Sequence, residues 1–329
     1  MRSGSAGTTR WILCRAALRS GIFVVLSVVV AGCATHPVWD ELRESAAAPE
    51  LADVPFFAQD AYQCGPAALA TVLADGGVEV TPDELVSRIY VPDRRGSLQA
   101  ELLAAARSHG RVPYRLADAP GAMVDEVRAG RPVLLLQNLG FERWPIWHYA
   151  VLIGFDPERG TFLLRSGTEA RHEVDARRFL ASWERGGRWS IVVVPASEPP
   201  AAADALGWLQ AVAPFESTGH LGMAAEGYAA GVERWPDEPM VWTALGNARY
   251  LQADMAGAEA AYERALALSA GNWTARNNLV RTFIARGCPD RARQWAGDAG
   301  RPPEGFAPTW EQTLADLAAA DSRECEMLQ

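Results

Sequence analysis

From residue 64 the chain reads CGPAALATVLAD, apolar at nearly every position until Gly76 and Gly77. This predicts a buried helix over Cys64 to Leu73, with Pro66 in the first turn, where its missing N–H would have had no partner anyway. TPDELVSRIY opens a second helix, with Thr81 as N-cap and Glu84 completing a capping box. SLQAELLAAARSHG predicts a third, with Ser97 as cap and Gly110 as stop. A strand is expected from Val112 to Leu116 and a short helix around Ala122 to Ala129. RPVLLLQNL is a continuous apolar run of strand length, hence a buried strand. WHYAVLIGF and GTFLLRS flank DPERG, whose Asp, Pro and Gly predict a hairpin turn. DARRFLASWERGG is helical and WSIVVVPA closes with a strand. Three helices followed by an antiparallel sheet predict an α+β domain over residues 51–197.

A Pro- and Ala-rich linker follows at 198–205, and beyond it the pattern turns helical and repeats. Trp208 and Trp242, Ala224 and Ala258, Tyr228 and Tyr262, Leu245 and Leu279, and Ala258 and Ala292 all lie 34 positions apart. The central unit, MVWTALGNARYLQADMAGAEAAYERALAL, resembles the tetratricopeptide pattern, in which small residues let paired helices approach and large ones fill the space between them. An all-α tetratricopeptide-repeat (TPR) domain is therefore expected over 206–329: about three repeats, ending in an amphipathic capping helix.

Ahead of both domains, Arg2, Arg10, Arg15 and Arg19 precede an apolar run from Ile22 to Val30 and then VAGC at 30–33. The apolar core is short for a membrane span, so residues 1–32 read as a signal peptide. VAGC resembles the lipobox of bacterial lipoproteins, which implies acylation of Cys33, a lipidated tether over 33–50, and anchoring in the cell envelope. Ala34 after the cysteine implies, by the same resemblance, sorting to the periplasmic face of the outer membrane. Several acyl chains make a stable anchor, at about 0.8 kcal/mol per buried methylene.

Loss of the four leader arginines would take the formal charge from −9 to −13. So acidic a chain is a poor partner for nucleic acid. All 31 basic residues are arginine. The absence of lysine excludes a Walker A lysine, a Schiff base and a Ser-Lys dyad, so no nucleotide and no cofactor is expected.

Of the five cysteines, Cys14 and Cys33 lie in the leader and its end, and Cys288 and Cys325 are expected either to pair or to be buried and reduced. Cys64 is left as a free thiol at a helix start, where unsatisfied N–H groups favour the thiolate. A nucleophile needs an oxyanion donor, and Gln59 on the extended FFAQ segment is the candidate, with Gln63 as the near alternative. It also needs a general base. His36, His109 and His220 fall in the tether, at a helix end and in the repeats. His148 begins an apolar strand beside Phe141, Trp144 and Trp147; His172, in a polar segment, is the weaker competitor. A hairpin centred at 157 or 158 places His148 opposite Ser166 or Gly167, making Ser166 the residue in register to orient the ring. Asp156 lies at the far tip of the hairpin.

Gln59, QCGPAALATVL and HYAVLIGFD together resemble the papain-like cysteine peptidases of the bacteriocin-processing, double-glycine-leader type. The resemblance implies a papain-like fold, a peptide or protein substrate, and catalysis by Cys64, His148 and Gln59. In that family an Asp-Pro follows the next strand; here RSG stands in its place, so Ser166 is the orienter. The expectation is a lipid-anchored envelope cysteine peptidase that meets the membrane through its lipid and a protein partner through the repeats. The alternative is a catalytically weak or inactive peptidase-like domain that binds peptides or proteins together with the repeats.

Overall fold

The computed structural model describes residues 42, 46–58, 63–94, 96–297 and 299–320. The signal peptide, Cys33, most of the tether, Gln59 and Cys325 lie outside the described residues. Residues 46–329 form one unit.

Helix α1 (Cys64–Asp75) is buried on all sides from Gly65 to Leu73, which explains a sequence apolar all round rather than on one stripe. Thr71, its polar interior residue, donates to the carbonyl of Ala67 at 2.9 Å, and Gly77 turns the chain out at φ +77°. In α2 (Pro82–Ile89) the Thr81 N–H donates to the Glu84 carboxylate at 3.0 Å. Helix α3 (Gln99–Ser108) starts later than expected, with Leu98 as N-cap. Ser97 instead belongs to a small hairpin of β1 (Tyr90–Val91) and β2 (Gly96–Ser97), which the sequence pattern did not announce because each strand is two residues long.

The main sheet contains β3 (Val112–Arg115), β4 (Val133–Asn138), β5 (Trp147–Asp156), β6 (Thr161–Ser166), β7 (Glu169–Asp175) and β8 (Ser190–Val194), in the order β3-β8-β4-β5-β6-β7 with every pair antiparallel. Helices α4 (Pro120–Arg128) and α5 (Ala176–Arg185) complete it. One face packs Leu134, Leu136, Tyr149, Val151 and Ile153 against Leu69, Leu73, Leu85 and Leu102 of the first three helices. The other carries the stacked rings of Phe155, Phe162 and Phe179 and the Gln137–Ser182 hydrogen bond of 2.7 Å to α5. Strand β7 escapes a hydrophobic reading because its side chains are mostly exposed. It is an edge strand held by the β6 ladder and by Arg171, which pairs with both Glu50 and Glu173, and charges there oppose pairing with other chains.

Among the described residues seven further helices follow: α6 (Ala205–Ser217), α7 (Leu221–Arg234), α8 (Pro239–Leu251), α9 (Met255–Leu268), α10 (Trp273–Ala285), α11 (Pro289–Gly297) and α12 (Ala307–Ala319). The starts of α6, α8 and α10 are 34 residues apart, as are those of α7, α9 and α11. Close approach of paired helices depends on glycine: a Cβ on Gly246 would lie 2.5 Å from the Tyr262 ring. Cys288 is disulfide-bonded. The 198–205 segment is pinned to the sheet domain. The Ala202 N–H donates to Glu126 at 2.6 Å, Glu126 also meets Arg131 at 2.8 Å, and the Asp204 N–H donates to the Tyr114 hydroxyl at 3.2 Å.

Candidate active site

Cys64 is the first residue of α1 and is half-buried. Gly65 beside it is required by packing: a Cβ there would lie 2.5 Å from Ser97 Oγ. The N-terminus of α1 thus seats against β2, and Tyr149, whose hydroxyl donates to the Ser97 carbonyl at 3.2 Å, joins both to β5. The Tyr149 N–H faces the Cys64 sulfur, as do those of Gly65 and of Cys64 itself. Cys64 packs against the apolar cluster that contains Tyr149, the residue following His148 on β5.

The electrostatics at Cys64 run opposite to the sequence expectation. Burial pushes the thiol up, and the opposing pull of the Tyr149, Gly65 and Cys64 N–H groups does not overcome it. A helix start favours the thiolate only while water or a cation helps to carry its charge. Burial, and after it the Cys64 charge, also holds the Tyr149 phenol up.

His148 Nε2 lies 2.8 Å from Ser166 Oγ. The strand register differs from the one expected. The turn pairs Asp156 with Thr161, later than expected, and past the bulge between Leu152 and Gly154 Val151 stands opposite Arg165, so one step further Ala150, not His148, faces Ser166. His148 reaches the serine diagonally, two positions along the same face of the sheet. The ring is held neutral, first by burial and then by the nearby His172. Among the described residues no hydrogen bond joins His148 to Cys64, and Nδ1 of His148 has no hydrogen-bond partner.

His172 stands on β7 and pairs with Glu169 at 3.1 Å; its charge, when present, acts on His148 from one strand beyond Ser166. Asp156 accepts from the N–H groups of Glu158 and Arg159 and serves the turn. The backbone role of Tyr149 went unforeseen, because no side-chain pattern marks a residue that contributes its N–H. No group of residues that could hold a metal ion occurs among the described residues.

Residues 51–191 match the Peptidase_C39 like family. That match makes this segment C39-peptidase-like and leaves the helical remainder outside it. Among solved structures, the chain is similar to a C39-like peptidase from Bacillus anthracis, at 19% identity and TM-score 0.39, over 47% of this chain and 100% of the other. It is also similar to a double glycine motif protease from an AMS/PCAT transporter in complex with the leader peptide, at 22% identity and TM-score 0.32, over 46% and 94%. A third similarity is to the peptidase domain of Streptococcus ComA, a bifunctional ABC transporter of a quorum-sensing pathway, at 19% identity and TM-score 0.36, over 43% and 98%. No curated protein matches the chain.

Proposed function

We propose that the protein is a lipid-anchored envelope cysteine peptidase in which Cys64 attacks a peptide carbonyl and His148 moves the proton. The observation that carries this reading is the packing of Cys64, at the start of α1, against the apolar cluster that contains Tyr149, the residue after His148, with His148 Nε2 bonded to Ser166. If Nε2–H donates to the serine, Nδ1 is the basic nitrogen. A raised thiol and a neutral imidazole describe a general-base pair rather than a preformed ion pair. The S–C bond forms as the thiol proton passes to Nδ1; the C–N bond breaks as that proton passes to the leaving amine; water then releases the acid from the thioester. Gln59 is assigned to the oxyanion together with the Cys64 N–H. Acylated Cys33 would hold the protein at the periplasmic face of the outer membrane, and the TPR-like helices would dock a protein partner.

The test is incubation of the purified protein with a peptide library, followed by mass spectrometry. Cleavage is expected, with a thioester adduct on Cys64, and both should vanish in Cys64→Ala; cleavage that survives Cys64→Ala would refute the assignment. A second reading is favoured by the raised thiol and by a hydroxyl where a carboxylate would orient the base more strongly. In it the domain is catalytically weak and binds peptides together with the helices. Retention of full cellular function by Cys64→Ala would select it.

A further inference from the structure

The ladder that sets His148 continues past the end of the sheet. Gln137 is paired with His148, the Leu139 N–H donates to Ile146 at 2.9 Å, and Phe141 bridges Trp144. Each pair is two residues beyond the last on both strands, so the side chains of Leu139, Ile146, Phe141 and Trp144 share one face with His148. All four are exposed, at 51%, 61%, 77% and 71%. Large apolar groups in such a row mark a binding surface more often than chance exposure does.

The hairpin is rigid enough to act as a template. Asn138 Oδ1 accepts from the N–H groups of Gly140 and Ile146, both at 3.0 Å, tying the neck on both strands.

Two occupants fit an apolar hairpin: a bilayer and a peptide. The tip itself is Glu142 and Arg143, both exposed, and entry into lipid tip-first would bury both charges. A peptide lying along the face meets only the apolar pairs. From His148 to Trp144 the strand spans about 13 Å, the length of about four extended residues, and successive pairs recur every two residues, the period at which an extended peptide presents one side.

We infer that this hairpin face is a specificity surface for the reaction proposed above, on which the inference rests. It takes an extended substrate segment with bulky apolar side chains at alternate positions, within about four residues of the scissile bond.

The experiment uses the full-length protein and two fluorogenic peptides of equal length. One carries Leu or Phe at two alternate positions on one side of the cleavage site; the other carries Ser there. The apolar peptide is expected to be favoured in kcat/KM by about tenfold or more, the discrimination that one or two apolar contacts provide. In Phe141→Ser/Trp144→Ser the ratio should fall to within about twofold of unity, chiefly through KM. Cleavage with no preference in the wild type, or a preference that survives in the variant, would overturn the inference while leaving the peptidase reading intact. Absence of cleavage is separated from this by measuring anisotropy of the same labelled peptides on Cys64→Ala protein. Selective binding of the apolar peptide, lost in the hairpin variant, supports the surface even if hydrolysis fails; equal binding of both overturns it. Cosedimentation with phosphatidylethanolamine–phosphatidylglycerol vesicles that depends on Phe141 and Trp144, without peptide selectivity, would assign the face to lipid instead.

Discussion

Replacing Ser166 with alanine isolates the weakest member of the proposed catalytic group. In the resting site its hydroxyl lies 2.8 Å from a neutral, partly buried imidazole, a contact worth about 1 kcal/mol net. As the thiol proton arrives the ring becomes cationic, and a hydrogen bond from a charged donor is worth about 1.5–3 kcal/mol. Only the increase acts on the barrier, so the loss should be about 0.5–2 kcal/mol, or about 2- to 30-fold in kcat. The charged ring also loses its acceptor, so the acidic limb of the pH–rate profile should move to still lower pH. Ser166→Thr, which keeps the hydroxyl, should restore both. Imidazole ¹⁵N spectra supply a readout independent of substrate, because the wild-type ring should favour the Nε2–H tautomer and the Ala variant should lose that bias. An unchanged kcat together with an unchanged tautomer ratio would refute an orienting role for Ser166.

Four other outcomes follow from the same geometry. Alkylation of Cys64 by iodoacetamide, followed against pH by mass spectrometry, should show its midpoint above the ordinary thiol value of about 8.5, since burial raises this group; a fast plateau reaching pH 5–6 would indicate a preformed thiolate. His148 is held below the ordinary imidazole value, so the base form persists to lower pH than in a free histidine, and His172→Gln should move the acidic limb upward; no movement would remove His172 from the site's electrostatics. Gly65→Ala must displace Ser97 and should cost about 1–3 kcal/mol in denaturant unfolding, with an unchanged midpoint counting against the packing described. Glu126→Ala removes a fully buried carboxylate from Arg131 and the Ala202 N–H. It should cost about 3 kcal/mol and open the 198–205 segment to limited proteolysis, and a protease-resistant variant would show that the segment is held by other contacts.

What could be read from the sequence follows a physical division. Helix α1 and strands β4, β5, β6 and β8 were legible because their burial is written in apolar runs, and the helical pairs because a repeated interface demands repeated residues. The β1–β2 hairpin and β7 were not: the first is too short to have a period, and the second is polar because it forms an edge. At the candidate site the residue types could be picked out, but the electrostatics could not. A cysteine at a helix start looks the same in sequence whether it is solvated or half-buried, and the two cases shift its pKa in opposite directions. The contact between His148 and Ser166 shows a related limit. Counting back from a turn centred at 157 or 158 leads to Ser166, yet the pairing of Asp156 with Thr161 sets the turn later and the bulge at Leu152–Gly154 takes back only one residue, so that diagonal reach across one face of the sheet brings the two side chains together. A straight hairpin without that bulge would put a different residue across from the imidazole. The backbone irregularity, invisible in any pattern of side chains, therefore governs which group can hold the proposed base.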